Sequence, residues 1–168
     1  MTFNIIFVSR LEKIRGAHFI PDIAKCLIKE KEDFRIDVLG RGPLTKDLDK
    51  PELNIYVHGW TSNVWSYYRN ADCLLALQLT PVPGGINAIE AIAHQVPIIA
   101  FEGTGTGCIT EQSRAGIVVE SIGRPYDEVV KDLVDAIFEI MGHRTFTPEQ
   151  KESIDDILRR VGYEIPSS

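Results

Sequence analysis

The stretch from Leu74 to Ala100, LLALQLTPVPGGINAIEAIAHQVPIIA, constrains this chain more than any other. It opens on an apolar run, Leu74 to Leu79, of the kind a buried strand gives. Thr80, Pro81, Val82, Pro83, Gly84 and Gly85 follow, and these continue neither a strand nor a helix. Ile86, Ile89, Ala93 and the Ala88–Ile92 pair then recur at helical spacing, with Glu90 on another face. His94-Gln95 ends that helix, and Val96 to Ala100 is a second buried strand. The sequence predicts a strand, a glycine turn, a helix and a strand. In open parallel sheets, ligands bind beyond the carboxyl ends of the strands, where the N–H groups of a helix start face outward. Gly84 and Gly85 carry no side chain to keep an anion from those groups.

The rest of the chain repeats the alternation. Strands are expected at Phe3–Val8, Phe34–Leu39, Leu53–Val57 and Ala115–Glu120. Helices are expected from about Ala17 to Lys31, with Phe19, Ile23 and Leu27 inward, and in a short stretch at Leu44–Asp49. A further helix is capped by Ser62 or Asn63 and runs through Tyr68, and another is expected at Cys108–Arg114. After Pro125, the residues Val130, Leu133, Val134, Ile137 and Met141 form one apolar stripe, stopped by Gly142. Thr147-Pro148-Glu149-Gln150 has the capping-box pattern of a last helix ending near Val161. Alternating strands and helices imply an α/β fold, a parallel sheet of about six strands with helices on both faces.

Composition narrows the partners. At 168 residues the chain is long enough for one domain with a real core, and 44% hydrophobic with 25% charged residues is ordinary for a folded protein. A net charge of −6 argues against nucleic acid or an anionic membrane as the main partner. No apolar run approaches the roughly 20 residues of a transmembrane span. Three widely spaced cysteines, Cys26, Cys73 and Cys108, suit a reducing cytoplasm better than a disulfide framework or a zinc site. Phe3–Val8 begins almost without lead-in, so the chain is either cut from a longer one or starts naturally short.

Several side chains carry chemistry. Arg10 and Arg15 follow the first strand and form either a diphosphate clamp or two solvated surface charges. Glu90, one turn into its helix, either accepts ribose hydroxyls or is a surface carboxylate near a helix start. His58 and Trp60 flank Gly59 beyond a strand end; they either line a base pocket or serve as a turn residue and a core residue. Glu111 either holds the glycine loop Phe101–Gly107 through backbone N–H groups or is exposed. His18, His94 and His143 are expected at the surface, with no ligand-spaced partners for a metal. There is no Ser-His-Asp or Cys-His set, no G-x-x-x-x-G-K-[ST], and no G-x-G-x-x-G after the first strand.

Taken in order, the segments FVSRLEKIRG, VLGRGPL, VHGW, YYRNADCLLAL, GGINAIEAIAHQVPIIA, the glycine loop with Glu111, and AGIVV resemble one family. The chain, over about Phe3 to Met141, is similar to the C-terminal, nucleotide-sugar-binding half of group 1 glycosyltransferases (family 4, GT-B fold). The resemblance implies a Rossmann-like half and retaining transfer of a hexose from a nucleoside-diphosphate sugar, UDP or GDP, without a metal or other cofactor. It puts Arg10 and Arg15 on the donor phosphates, where they stabilise the leaving group. It puts Gly84, Gly85, Ile86 and Asn87 at the diphosphate and sugar, Glu90 on the ribose, and Val57 and His58 against the base. One position departs: the first Glu of the family's Glu–seven residues–Glu motif falls at Val82, which cannot hydrogen-bond a sugar hydroxyl. The resemblance also implies a partner, an N-terminal half across a cleft, on which the last helix and tail, residues 147–168, pack if they do not pack on this domain. The rival readings are a degenerate, non-catalytic binding or assembly module and a nucleotide-sugar epimerase of the same fold; the lack of a clear His/carboxylate pair weakens the latter.

Overall fold

The computed structural model describes residues 1–79, 85–143 and 145–164. Six strands, β1 (Phe3–Val8), β2 (Phe34–Leu39), β3 (Ile55–Gly59), β4 (Cys73–Ala76), β5 (Ile98–Phe101) and β6 (Gly116–Val119), form one sheet in the order β3-β2-β1-β4-β5-β6. Every pairing is parallel. The direction of winding reverses between β1 and β4, so the loops after these two strands diverge and leave a crevice at their carboxyl ends. The α/β, Rossmann-like expectation is met.

Helices α1 (Ile20–Lys29), α2 (Thr45–Leu48), α3 (Val64–Asn70), α4 (Ile86–Ala93), α5 (Gly105–Ser113), α6 (Tyr126–Gly142) and α7 (Pro148–Val161) cover the sheet. Strand residues alternate between two cores. Phe3, Ile5, Phe7, Leu75 and Leu77 pack with the apolar stripes of α1 and α6 on one face. Ile6, Leu74, Ala76, Ile98 and Ala100 pack with α4 and α7 on the other. The Thr147–Gln150 capping box forms as its pattern predicts, and Ile154 and Ile157 of α7 are buried in the second core. Val161, at the end of α7, is exposed.

Differences from the sequence reading lie at the ends of elements. Residues 13–19 form two short 3-10 turns around Gly16, so α1 starts at Ile20 rather than near Ala17. The run Leu74–Leu79 is paired only through Ala76, with β1 as far as Leu74 and with β5 as far as Ala76. The glycines of Phe101–Gly107 open α5, which therefore starts three residues before Cys108. The Thr104 hydroxyl accepts the Gly107 N–H at 3.0 Å, so Thr104 holds this turn while Glu111 is exposed. Ile86, expected inward, is 71% exposed, because the first residue of α4 stands beyond the sheet edge.

Glycines let the loops at the crevice touch. Gly16 has φ +78°, and a Cβ there would overlap the Leu77 carbonyl oxygen. Alanine adds left-handed strain of about 1–2 kcal/mol to that overlap. Gly16→Ala is therefore expected to destabilise the chain by more than about 2 kcal/mol in urea denaturation. Gly123→Ala, at φ +72° with nothing within 4 Å, should cost only the strain, about 1 kcal/mol. Equal losses would show that the close approach is not what demands glycine at position 16.

Candidate functional site

An open cleft of about 580 Å³ lies over the carboxyl ends of β1, β2 and β3. Ser9 and Arg10 line it from the loop after β1, Gly40 and Arg41 from the loop after β2, and Trp60 and Thr61 from the loop after β3. Val8, Leu39 and Val64 form its apolar floor. The loops are fastened by backbone: Leu11 N–H donates to the Arg41 carbonyl at 2.9 Å, Gly40 N–H to Gly59 at 2.9 Å, and Leu79 N–H to Ile14 at 3.0 Å. The glycines of G-R-G-P allow this, since a Cβ at Gly40 would strike the Ser9 carbonyl and one at Gly42 the backbone of Leu11.

The two arginines of the loop after β1 share one carboxylate. Glu12 Oε2 is 3.3 Å from Arg10 Nε, and Glu12 Oε1 is 3.9 Å from Arg15 Nε. Arg10 is exposed at the cleft; Arg15 is half-buried, and its Nε has no hydrogen-bond partner. His18, in the same loop, is half-buried, tilted against Phe19 and stacked on Tyr126, rather than free at the surface. Burial, then Lys13, depresses its pKa.

The first turn of α4 completes the edge. Gly85 is its N-cap at φ +117°, and Gly84 and Val82 lie outside the described residues. Asn87 Nδ2 donates to the Val8 carbonyl at 3.2 Å, which ties this turn to the end of β1. The α4 start, Gly85 to Asn87, is thus tied to the end of β1, the strand after which the loop carrying Arg10 and Arg15 begins. Glu90 faces inward from α4, beside the Tyr68 hydroxyl. Burial, its largest influence, raises its pKa against the opposing effects of Tyr68 and His94. His94, also expected at the surface, is half-buried and stacks on Trp65 and Tyr68 at 5.6 Å.

Val57 and His58 stand away from the cleft. Val57 packs on the first core and its N–H meets Asp49. His58 Nε2 is 2.6 Å from Asp37 Oδ1, and its ring lies against Tyr67 beside a separate depression. The aromatic group at the cleft is Trp60, 67% exposed. Sequence reasoning missed Arg41, whose only signal is its place between two glycines after a strand. It also missed Gln78, read as part of an apolar run: the residue is 4% exposed at the end of β4, with an unpartnered Oε1.

A doubly wound α/β domain with an arginine-lined cleft at its strand ends is the class that this architecture defines. A family profile described as "Glycosyl transferases group 1" matches residues 2–143, and the chain belongs to that family. Its fold is similar to that of WaaG, a glycosyltransferase involved in lipopolysaccharide biosynthesis, with TM-score 0.73 and 14% identity over 97% of this chain and 43% of that one. It is also similar to the C-terminal domain of a group 1 glycosyl transferase (LpcC) from Francisella tularensis, with TM-score 0.68 and 19% identity over 94% and 85% of the two chains. A third likeness is Anabaena Alr3699/HepE in complex with UDP, with TM-score 0.72 and 18% identity over 95% and 44%. The chain thus spans under half of the WaaG and Alr3699/HepE chains. No curated protein matches it. Among the described residues no helix is long and apolar enough to cross a membrane.

The raised pKa of Glu90 has a stability consequence. Its carboxyl holds a proton more tightly in the folded chain than in the unfolded one, so stability is lost as pH rises from the ordinary carboxylate range through the folded value. Glu90→Gln keeps an acceptor beside Tyr68 and removes the charge. Its melting temperature should exceed the wild type's by more at pH 7 than at pH 4; the same difference at both would show that the carboxylate is not penalised by burial.

Proposed function

We propose that this chain is the donor-binding half of a retaining glycosyltransferase. It binds a nucleoside-diphosphate sugar, UDP- or GDP-linked, and together with an N-terminal half transfers a hexose to an acceptor. The observation that carries the reading is the cleft of about 580 Å³ in which Arg10 and Arg41 stand with an exposed Trp60 over the strand ends. Arginine forks suit phosphate oxygens and an indole face suits a nucleobase. The UDP bound in Alr3699/HepE supports a nucleotide ligand.

In this scheme Arg10 and Arg15 meet the diphosphate, joined by the N–H groups where α4 begins after Gly84 and Gly85. Ile86 and Asn87 border the sugar, and Glu90 accepts the ribose hydroxyls. Val57 and His58, assigned to the base by family resemblance, support β3 from behind, while Trp60 and Thr61 take the contact side. As the glycosidic bond breaks, negative charge builds on the diphosphate, and fixed arginines and helix dipoles stabilise it without reorganising. The scheme calls for no metal or other cofactor. Helix α7 packs on this domain through Ile154 and Ile157, and its exposed Val161 end is the part left to meet the N-terminal half. Three free cysteines are in keeping with a reducing cytoplasm.

Calorimetric titration with UDP, GDP and ADP tests the reading. One nucleotide should bind, and Arg15→Ala should weaken it by about 1.5–3 kcal/mol, roughly ten- to a hundredfold, as expected for a lost charge-assisted bond. Glu90→Ala should weaken it by at least ~1 kcal/mol. No binding by the wild type in the presence of its N-terminal half would overturn the reading.

Val82 favours a second reading, a non-catalytic binding module, because valine cannot replace the hydrogen bond of the motif's first Glu. In the two-half protein, a large gain in transfer by Val82→Glu would support this degraded site. A loss would show a site suited to its own donor.

A further inference from the structure

We propose that Glu12 is the resident counter-anion of the arginine pair, a positioning residue whose carboxylate an incoming diphosphate must displace. The diphosphate is named from the proposed function; the role of Glu12 rests on the geometry of its loop. Each carboxylate oxygen faces a different guanidinium, Oε2 that of Arg10 at 3.3 Å and Oε1 that of Arg15 at 3.9 Å. Two planar cations converging on one oxyanion reproduce the arrangement that a phosphate group would otherwise occupy.

The backbone holds that carboxylate in place. Glu12 N–H donates to the Arg10 carbonyl at 3.1 Å, and the Glu12 carbonyl accepts Arg15 N–H at 3.1 Å and Ala17 N–H at 3.4 Å. Gly16 then closes the turn in the left-handed region. Among the described residues Glu12 is the one acidic group ion-paired to this loop's arginines, while Lys13 and Arg41 nearby form no ion pair. Arg15 Nε has no hydrogen bond. At 3.9 Å the attraction to Glu12 is therefore loose enough to be exchanged for a tighter oxygen.

Two effects of Glu12 oppose each other. It orders two long side chains, which favours ligand binding, and it places a negative charge where a dianion must come, which disfavours it. The Arg10 pair is exposed and the Arg15 pair is held only at 3.9 Å, so both order their side chains weakly and the charge effect is the larger. A glutamine keeps the shape and an acceptor oxygen and removes only the charge. The role thus predicts a gain of anion affinity on substitution, which a residue that merely supports the loop would not give.

Inorganic pyrophosphate, titrated calorimetrically at low and high salt, is the probe. Glu12→Gln should bind it more tightly than the wild type by on the order of five- to tenfold at low salt. The advantage should shrink as salt screens the pair, and Glu12→Asp should return to within about twofold of the wild type by restoring the charge. Equal or weaker binding by Glu12→Gln, with an unchanged melting curve, or no pyrophosphate binding by either protein, overturns the proposal. Parallel titrations with UDP, GDP and ADP separate it from the proposed function. A pyrophosphate gain without binding of any nucleoside diphosphate upholds Glu12 and sinks the donor-site reading.

Discussion

The structure depends on one contact: the backbone of the loop after β1 lies directly on the ends of its two neighbouring strands. Gly16 rests on the Leu77 carbonyl at the end of β4. Gly40 and Gly42 rest on Ser9 and Leu11, which brings the loop after β2 onto the same segment. The bonds Leu79–Ile14, Leu11–Arg41 and Leu44–Leu11 close this weave. No side chain fits in those spaces. The crevice at the switch point therefore has its shape set by main chain, and the side chains projecting from it inherit fixed origins. Placing polar groups on a frame of this stiffness is what a binding site requires.

Charge is distributed against the average. The chain carries a net −6, yet Arg10, Lys13, Arg15 and Arg41 cluster near the crevice with Glu12 as their near acidic neighbour. A local positive field inside a negative molecule draws an anionic ligand to one place and repels polyanions elsewhere. Glu12 moderates that field. Without it, three cations on the loop after β1 and Arg41 on the loop after β2 would repel one another and attract any phosphate; with it, the attraction is reserved for a ligand that offers better geometry than a single carboxylate.

Much of this was legible in the sequence. The alternation of apolar runs and amphipathic stripes predicted six parallel strands, and the T-P-E-Q pattern predicted a capped α7. Of the residues singled out for the site, Gly85 caps α4 and Arg10 and Arg15 follow β1, while Gly84 lies outside the described residues. Side-chain direction was less legible. His58 was expected just beyond a strand, but it lies within β3, whose alternation turns its ring to Asp37. Ile86 matches helical spacing, but spacing does not show that the first turn of α4 stands clear of the sheet. Gln78 hid between Leu77 and Leu79, where one polar residue does not break an apolar run. His94 looked solvated because the aromatic stack of Trp65 and Tyr68 that covers it comes from a helix some thirty positions earlier.

Glu90 shows how stability and binding are separated in this fold. The Tyr68 hydroxyl already donates to the Asn87 carbonyl at 3.1 Å, so the buried phenol is satisfied without the carboxylate. The carboxylate is disfavoured by its own burial, and the raised pKa is the sign of that cost. A neutral side chain would serve the packing between α3 and α4 better. The carboxylate is thus held at a loss one turn below a helix start that is tied through Asn87 to the end of β1, and carboxyls perturbed in this way concentrate at functional sites. Tyr68, beside that carboxylate, donates to the Asn87 carbonyl, and the Asn87 side chain donates in turn to the Val8 carbonyl at the crevice edge. Occupation of the edge and the environment of Glu90 are therefore parts of the same local structure.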